Sequence, residues 1–401
     1  MVNRLNYWFK LFSNALKVSK INTLGKNDVL IVCSDLDRSF ISKGLFYSPI
    51  LDSVNEVLCK NNLKTVSVNY PLSNLNTSKI FGNGISVNGT ISRAIILNKI
   101  FRNGDFVVNA WKKILKDIDP KIIMGILPLP ELCIAANKLN IQVIDLQHGV
   151  ISDEGYYGQS YRKMYDNIGW PNWILCWDKK SYDWVKKNIN QVKTKIIGNI
   201  WVSRFLFFDA KDEMINNIVS NNKIENYLNR KNILVTLQWD RVNMNRNKNY
   251  GLSDELIDTI FNDSTRNWMI RFHPIQIKII GKDKLFNHMT ILFKKCKNVF
   301  WKDVSNFPLP LILKLSDLHI TSFSAVTIEA SFFGIKTGLL YEKIDLLHEY
   351  FSNEINNGYA EIIMNNYESI SKWIHLNLKK LEKKNNLHKF DQQLLIKIIN
   401  E

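Results

Sequence analysis

Short apolar, β-branched runs alternate with segments of helical periodicity along the first half of the chain. The runs are Val29–Cys33, Thr65–Val68, Ile122–Ile126, Ile141–Leu146, Trp173–Trp177 and Lys195–Gly198, with helical patterns at Glu131–Leu139 and Ser181–Ile189. A run that is apolar on consecutive residues has both faces covered, which marks a parallel sheet with helices on either side. The alternation pauses over residues 201–230 and restarts with Asn232–Gln238, Trp268–Phe272, Val299–Trp301, Leu318–Thr321 and Thr337–Tyr341. The pattern predicts an α/β chain of two doubly wound domains, residues 1–200 and 231–370, with a linker over 201–230 and a helical segment over 371–401. Ligands of open parallel sheets bind beyond the carboxyl ends of the strands, so the residues following each strand are the candidates for chemistry.

Composition adds charge to this picture. The 401 residues are 46% apolar and carry 53 Lys plus Arg against 37 Asp plus Glu, a net +16. Such a chain buries a large core and favours anionic partners. Nucleic acid is not the expected one, because the basic residues are spread over both domains and no helix-turn-helix, ribonucleoprotein-type strand or zinc finger accompanies them. Five widely spaced cysteines, with no C-x-x-C pair, argue against a disulfide framework or zinc site and for a reducing cytoplasm. No run approaches 18 apolar residues. Over Arg4–Lys20, Leu5, Trp8, Phe9, Phe12, Ala15 and Leu16 fall at helical spacing among Arg and Lys, so an anionic membrane surface is a candidate partner, as it is for the lysine-rich 371–401 segment.

Three places could carry chemistry. The run Ile141–Leu146 leads directly into Gln-His148-Gly149-Val-Ile-Ser-Asp153-Glu154-Gly155-Tyr156-Tyr157-Gly158. Its glycines allow tight turns or close approach, and His148, Asp153 and Glu154 are three candidate general bases. In the second half, an apolar run ends in Arg271-Phe-His273-Pro274, where an imidazole and a guanidinium can meet a phosphate. After Leu318–Thr321 comes Ser322-Phe323-Ser324, opening a helix that contains Glu329 and ends at Gly334. Free N–H groups at a helix start and two hydroxyls suit a phosphate, and Glu329 suits ribose hydroxyls. Thr236 and Gln238, after the first strand of the second series, are further donor candidates. Trp239, Tyr156, Tyr157 and Tyr161 could stack on a ring, and His319 reads as a core residue. Asp35-Leu-Asp37 has the spacing of a metal-binding triplet, but its place after the first strand reads as a loop feature.

Gly198-Asn199, Arg-Phe-His-Pro at 271–274 and the stretch from Asp317 to Ala330 resemble glycosyltransferases of the GT-B fold, whose two Rossmann-like domains face a cleft and whose C-terminal helix crosses back. The likeness is to the bacterial surface-polysaccharide branch of sialyl-, Kdo- and CDP-glycerol-transferases. It implies an acceptor-side first domain and a nucleotide-binding second domain, with Arg271, His273, Pro274, Ser322, Ser324 and Glu329 holding the donor. In the sialyltransferase-like members an acidic-acidic-Gly motif, here Asp153-Glu154-Gly155, supplies the base. In the polyol-phosphate members a His-Gly, here His148-Gly149, supplies it. The expectation is a cytoplasmic, metal-independent, inverting glycosyltransferase without a cofactor. It would take a nucleotide sugar, CMP-linked favoured, to a lipid-linked or oligosaccharide acceptor in capsule or O-antigen synthesis. A CDP-polyol phosphotransferase and a nucleotide-sugar epimerase are the alternatives.

Overall fold

A computed structural model describes all residues except 1, 18–25, 36, 39, 70–72, 74, 83, 102–104, 154, 159–162, 164–168, 222–223, 239–248, 341 and 380–388. The chain forms two compact units: Met1–Trp201 with His388–Glu401, and Val202–Leu387.

The first unit is built on strands β1 (Asn27–Cys33), β4 (Thr65–Asn69), β5 (Gly84–Ser86), β6 (Pro120–Gly125), β7 (Gln142–Leu146), β8 (Trp173–Cys176) and β9 (Lys193–Ile196), with a small hairpin of β2 (Phe40–Ser42) and β3 (Leu45–Tyr47). The seven strands are parallel, in the order β5-β4-β1-β6-β7-β8-β9. Alternate side chains of one strand feed opposite cores: Leu30 and Val32 join the helices Asn88–Ile100 and Phe106–Ile118, whereas Val29, Ile31 and Cys33 join the helix Leu51–Lys60. Two buried faces explain why these strands read as unbroken apolar runs.

The second unit repeats the plan with β10 (Asn232–Thr236), β11 (Asn267–Arg271), β12 (Val299–Phe300), β13 (Leu318–Thr321), β14 (Lys336–Leu339) and β15 (Ala360–Ile362), in the order β12-β11-β10-β13-β14-β15. In both sheets the strand order reverses once, between β1 and β6 and between β10 and β13. Such a reversal opens a crevice at the carboxyl ends, the usual place for a ligand in this architecture.

Within the stretch expected as a linker, helices Ile200–Leu206 and Glu213–Asn221 bury Trp201, Val202, Phe205, Ile215 and Ile218, and Arg204 is paired with Asp212 at 2.7 Å. The polar surface of these short helices hid the apolar stripe that packs them. The segment 371–401 is not one element. Trp373 and Ile374 lie on the helix Tyr367–Lys379 and belong to the second unit's core. The return to the first unit is made by Gln392–Asn400, whose Leu395, Ile398 and Ile399 pack beneath β1, β6, β7 and β8.

Candidate functional site

In the first unit, β7 delivers Gln147 and His148 at its carboxyl end. Gln147 is buried and fully engaged: its Nε2 donates to the Gly149 carbonyl (2.8 Å) and to Ser181 Oγ (2.9 Å), and its Oε1 accepts from the Trp177 N–H (2.7 Å). The start of the loop is thus tied to the end of β8 and to the helix Lys179–Asn188. Beyond it the chain folds onto itself, with Tyr156 N–H donating to the Val150 carbonyl (2.9 Å) and Gly155 N–H to Ser152 Oγ (2.9 Å). The glycines serve this closeness: a Cβ at Gly149 would stand 2.3 Å from the Tyr156 ring, and one at Gly158 would stand 1.9 Å from the Asp153 carbonyl oxygen. The close approach is of the loop to itself.

The result is a half-buried His148 whose ring lies against Tyr156, centroids 4.3 Å apart. Burial lowers the imidazole pKa below its ordinary value, and the negative charge of Asp37 opposes that shift. Asp37 is the functional candidate that sequence reading passed over as a loop feature. It follows β1 in a turn closed by Ser34 Oγ donating to Asp37 Oδ2 (2.6 Å) and Asp37 N–H donating to the Ser34 carbonyl (3.2 Å). Next to it, buried Arg38 donates to buried Asp52 at 2.5 Å, and Asp52 Oδ2 also accepts the Ser48 N–H (2.6 Å). The turn carrying Asp37 is therefore anchored in the core at the point where the strand order reverses. Asp35 accepts the Ser73 hydroxyl. Asp153 is exposed, and Glu154 lies outside the described residues. Tyr157 is packed on Trp170, a core role, while Trp239 and Tyr161 also lie outside the described residues.

In the second unit, Arg271 ends β11 in register with Thr236 of β10, which is itself in register with Thr321 of β13. Two residues later His273 caps the helix Pro274–Ile280. Its Nδ1 accepts the Ile275 N–H (3.1 Å), while Gln276 Oε1 accepts the His273 N–H (2.9 Å), with Pro274 at the first helical position. An Nδ1 that accepts must be unprotonated, so the neutral ring carries its hydrogen on Nε2. Burial, and secondarily Arg271, push the His273 pKa below the usual value and favour that neutral form.

Arg271 differs from the expected phosphate ligand, because its Nη1 donates to the Val304 carbonyl and to the Phe307 carbonyl (2.8 Å). It holds the end of the helix Lys302–Asn306 in place. Burial lowers its pKa to about 10, and Glu329 opposes the shift. Burial likewise raises Glu329 to about 7, and Arg271 restrains the rise. His273, Arg271 and Glu329 thus form one electrostatic group.

The turn after β13 explains the split serine pair. Phe323 points into a separate cluster, its ring 4.8 Å from Tyr350 and 5.5 Å from Phe351, whereas Ser322 is half-buried and its hydroxyl is unpaired among the described residues. Ser324 Oγ accepts the Val326 N–H (3.3 Å), at the start of the helix Val326–Phe332. That helix ends in a Gly334 with φ +67°, the Ile335 N–H donating to the Ala330 carbonyl (3.0 Å). Thr236 is turned inward, away from a ligand role: its hydroxyl meets Nε2 of fully buried His319 (2.8 Å), and His319 Nδ1 meets Thr337 Oγ1 (3.0 Å). Burial depresses His319 to about 3, so it is a neutral core bridge. Gln238 contributes its backbone carbonyl to Gln276 Nε2 (3.3 Å). Among the described residues, no three His, Cys, Asp or Glu side chains are grouped to hold a metal ion.

No protein-family model matches the chain, and no curated protein matches it in sequence. Solved structures do match in fold. The UDP-GlcNAc 2-epimerase from Neisseria meningitidis bound to UDP-GlcNAc has a TM-score of 0.61 at 13% identity, covering 93% of this chain and 99% of its own. The UDP-GlcNAc 2-epimerase from Methanocaldococcus jannaschii has a TM-score of 0.59 at 16% identity, covering 94% and 99%. A variant of the wall teichoic acid polymerase TagF has a TM-score of 0.59 at 13% identity, covering 100% and 94%. The chain therefore has the GT-B type of fold, two Rossmann-like α/β units.

Proposed function

We propose that this chain is a glycosyltransferase that takes a sugar from a pyrimidine-nucleotide donor and adds it to a lipid-linked or oligosaccharide acceptor in surface-polysaccharide synthesis. The observation that carries the reading is the His273–Arg271–Glu329 group, in which a capped imidazole is held as an Nε2–H donor at the same carboxyl edge of the sheet as Ser322, whose hydroxyl is unpaired among the described residues. A fixed donor needs no reorganisation when negative charge collects on a departing phosphate. Glu329, on the helix Val326–Phe332 that follows that turn and with its pKa raised to about 7 by burial, accepts ribose hydroxyls. A cytidine donor is favoured by the His-Pro and Ser-x-Ser resemblance, and the fold neighbours that bind UDP-GlcNAc support a pyrimidine nucleotide.

In the first unit, His148 is the base favoured over Asp153. It is half-buried, its ring lies against Tyr156 and burial favours its neutral form, with the charge of Asp37 opposing that shift, whereas Asp153 is exposed. His148 takes the proton of the acceptor hydroxyl. The acceptor oxygen then bonds to the anomeric carbon as the bond from that carbon to the phosphate oxygen breaks, with inversion.

The test is a thermal-shift panel of CMP, CDP, UDP and GDP followed by product analysis with the nucleotide sugar that binds. A ligand specific to the folded state raises the melting temperature. A pyrimidine-specific shift and an acceptor-dependent glycoside support the proposal, and no shift with any nucleotide overturns it. Two products identify the rivals: an epimerised sugar formed without acceptor marks an epimerase, in keeping with two of the fold neighbours, and donor phosphate retained in the product marks a polyol-phosphate transferase.

A further inference from the structure

The helix Val2–Ala15 lies on the outer side of the helix Asn88–Ile100, burying Leu11 and Asn14. Arg93 fixes the pair by donating from Nη1 to the carbonyls of Ala15 (2.7 Å) and Lys17 (3.4 Å). Away from that contact the surface is apolar and bare. Phe9, Phe12 and Leu16, spaced on one face of the first helix and its end, are 78%, 53% and 87% exposed; at the end of the second, Ile100 and Phe101 are 63% and 57% exposed. A soluble monomer rarely shows so many large apolar side chains together without a use for them.

Along the two helices and their flanking segments the charge has one sign, with Asp105 following at the start of the next helix. From Met1 to Asn27 the sequence has five Lys plus Arg and no Asp or Glu, and from Tyr70 to Gly104 it has four and none. Lys10 and Lys99 flank the aromatic positions, and Lys17 donates to Asn14 Oδ1 (2.7 Å). A second copy docked through the same patch would bring these cations face to face, since a two-fold interface repeats each residue on both sides. An anionic surface answers the charge instead, and its headgroup boundary accepts Phe and Leu side chains.

We propose that the paired helices Val2–Ala15 and Asn88–Ile100 seat the protein on an anionic lipid bilayer, with Phe9, Phe12 and Leu16 entering the headgroup boundary and Lys10 and Lys99 meeting lipid phosphates. This surface is separate from the residues assigned to chemistry, so the proposal stands or falls independently of the donor reading.

Co-sedimentation of the full chain with phosphatidylcholine vesicles, with and without phosphatidylglycerol, tests it. Binding requires phosphatidylglycerol and weakens with salt. Lys10→Gln and Lys99→Gln each lower the partition coefficient roughly fivefold, the equivalent of about 1 kcal/mol per basic residue near such a surface. Phe9→Ser with Phe12→Ser lowers it at every salt concentration, while circular dichroism and nucleotide-induced melting shifts are unchanged. Equal pelleting with both vesicle types, binding untouched by the double Phe variant, or a dimer in sedimentation velocity that the double variant dissolves would each overturn the proposal.

Discussion

His273 does two jobs with two nitrogens, and substitutions separate them. Asn in its place keeps a side-chain oxygen for the helix start but loses the outward N–H, whereas Ala loses both. We expect His273→Asn to change urea-unfolding stability little and His273→Ala to cost about 1 kcal/mol, with both abolishing the nucleotide-induced melting shift. A shift that survives in His273→Asn would show that Nε2 is not a ligand donor. For His148 the sign of the pH effect follows from its neighbour. The base acts when neutral, so the acid limb of kcat/KM lies below the ordinary imidazole value of about 6.5, because burial lowers the pKa. Removing the Asp37 charge in Asp37→Asn withdraws the influence that raises that pKa, and the limb moves to still lower pH as the rate falls. An unmoved limb in a pH–rate profile would exclude the pairing. Asp37 and His148 are 111 positions apart in a chain whose fold alone brings them together, which is why the carboxylate reads as a loop feature in sequence and His148 as one of three equal candidates.

At the level of elements, the loop after β7 is a self-packed device whose tolerance is set by its glycines. Gly149→Ala places a methyl where the Tyr156 ring now lies against His148. We expect turnover to fall at least tenfold, with the melting temperature within a few degrees of the parent, since the ring can yield toward solvent without opening the sheet. Strands buried on both faces were legible, because each is a consecutive apolar run bounded by turn residues. The strands β5 (Gly84–Ser86) and β15 (Ala360–Ile362), three residues each at the sheet edges, carry too few apolar positions to stand out. The turn after β13 was legible as Ser-Phe-Ser but its surroundings were not: only packing shows Phe323 turned into a hydrophobic cluster, Thr236 claimed by His319, and Arg271 engaged with the carbonyls of Val304 and Phe307.

For the whole molecule, the decisive feature is the helix Gln392–Asn400, which rejoins the first unit after the second has been completed. Leu395 is fully buried under the first sheet, so Leu395→Ala costs about 2–5 kcal/mol in urea unfolding. That is a large part of the 5–15 kcal/mol that holds an ordinary domain together. A loss near zero would mean that the helix is ornamental to that core. The family resemblance implied a returning helix but not which stretch supplies it, because Trp373 and Leu395 lie on similarly amphipathic stretches and only the folded chain shows the indole packed against Gly338 of β14. The chain order has a consequence during synthesis. Residues Met1–Trp201 emerge first, yet their last core piece follows the 186 residues of the interposed unit, a wait of roughly 10–40 s at typical ribosomal speeds. Throughout that interval Ile122, Met124 and Leu175 lack their cover. A nascent polypeptide of this design should engage holding chaperones on its first half and release them only as the tail clears the exit tunnel.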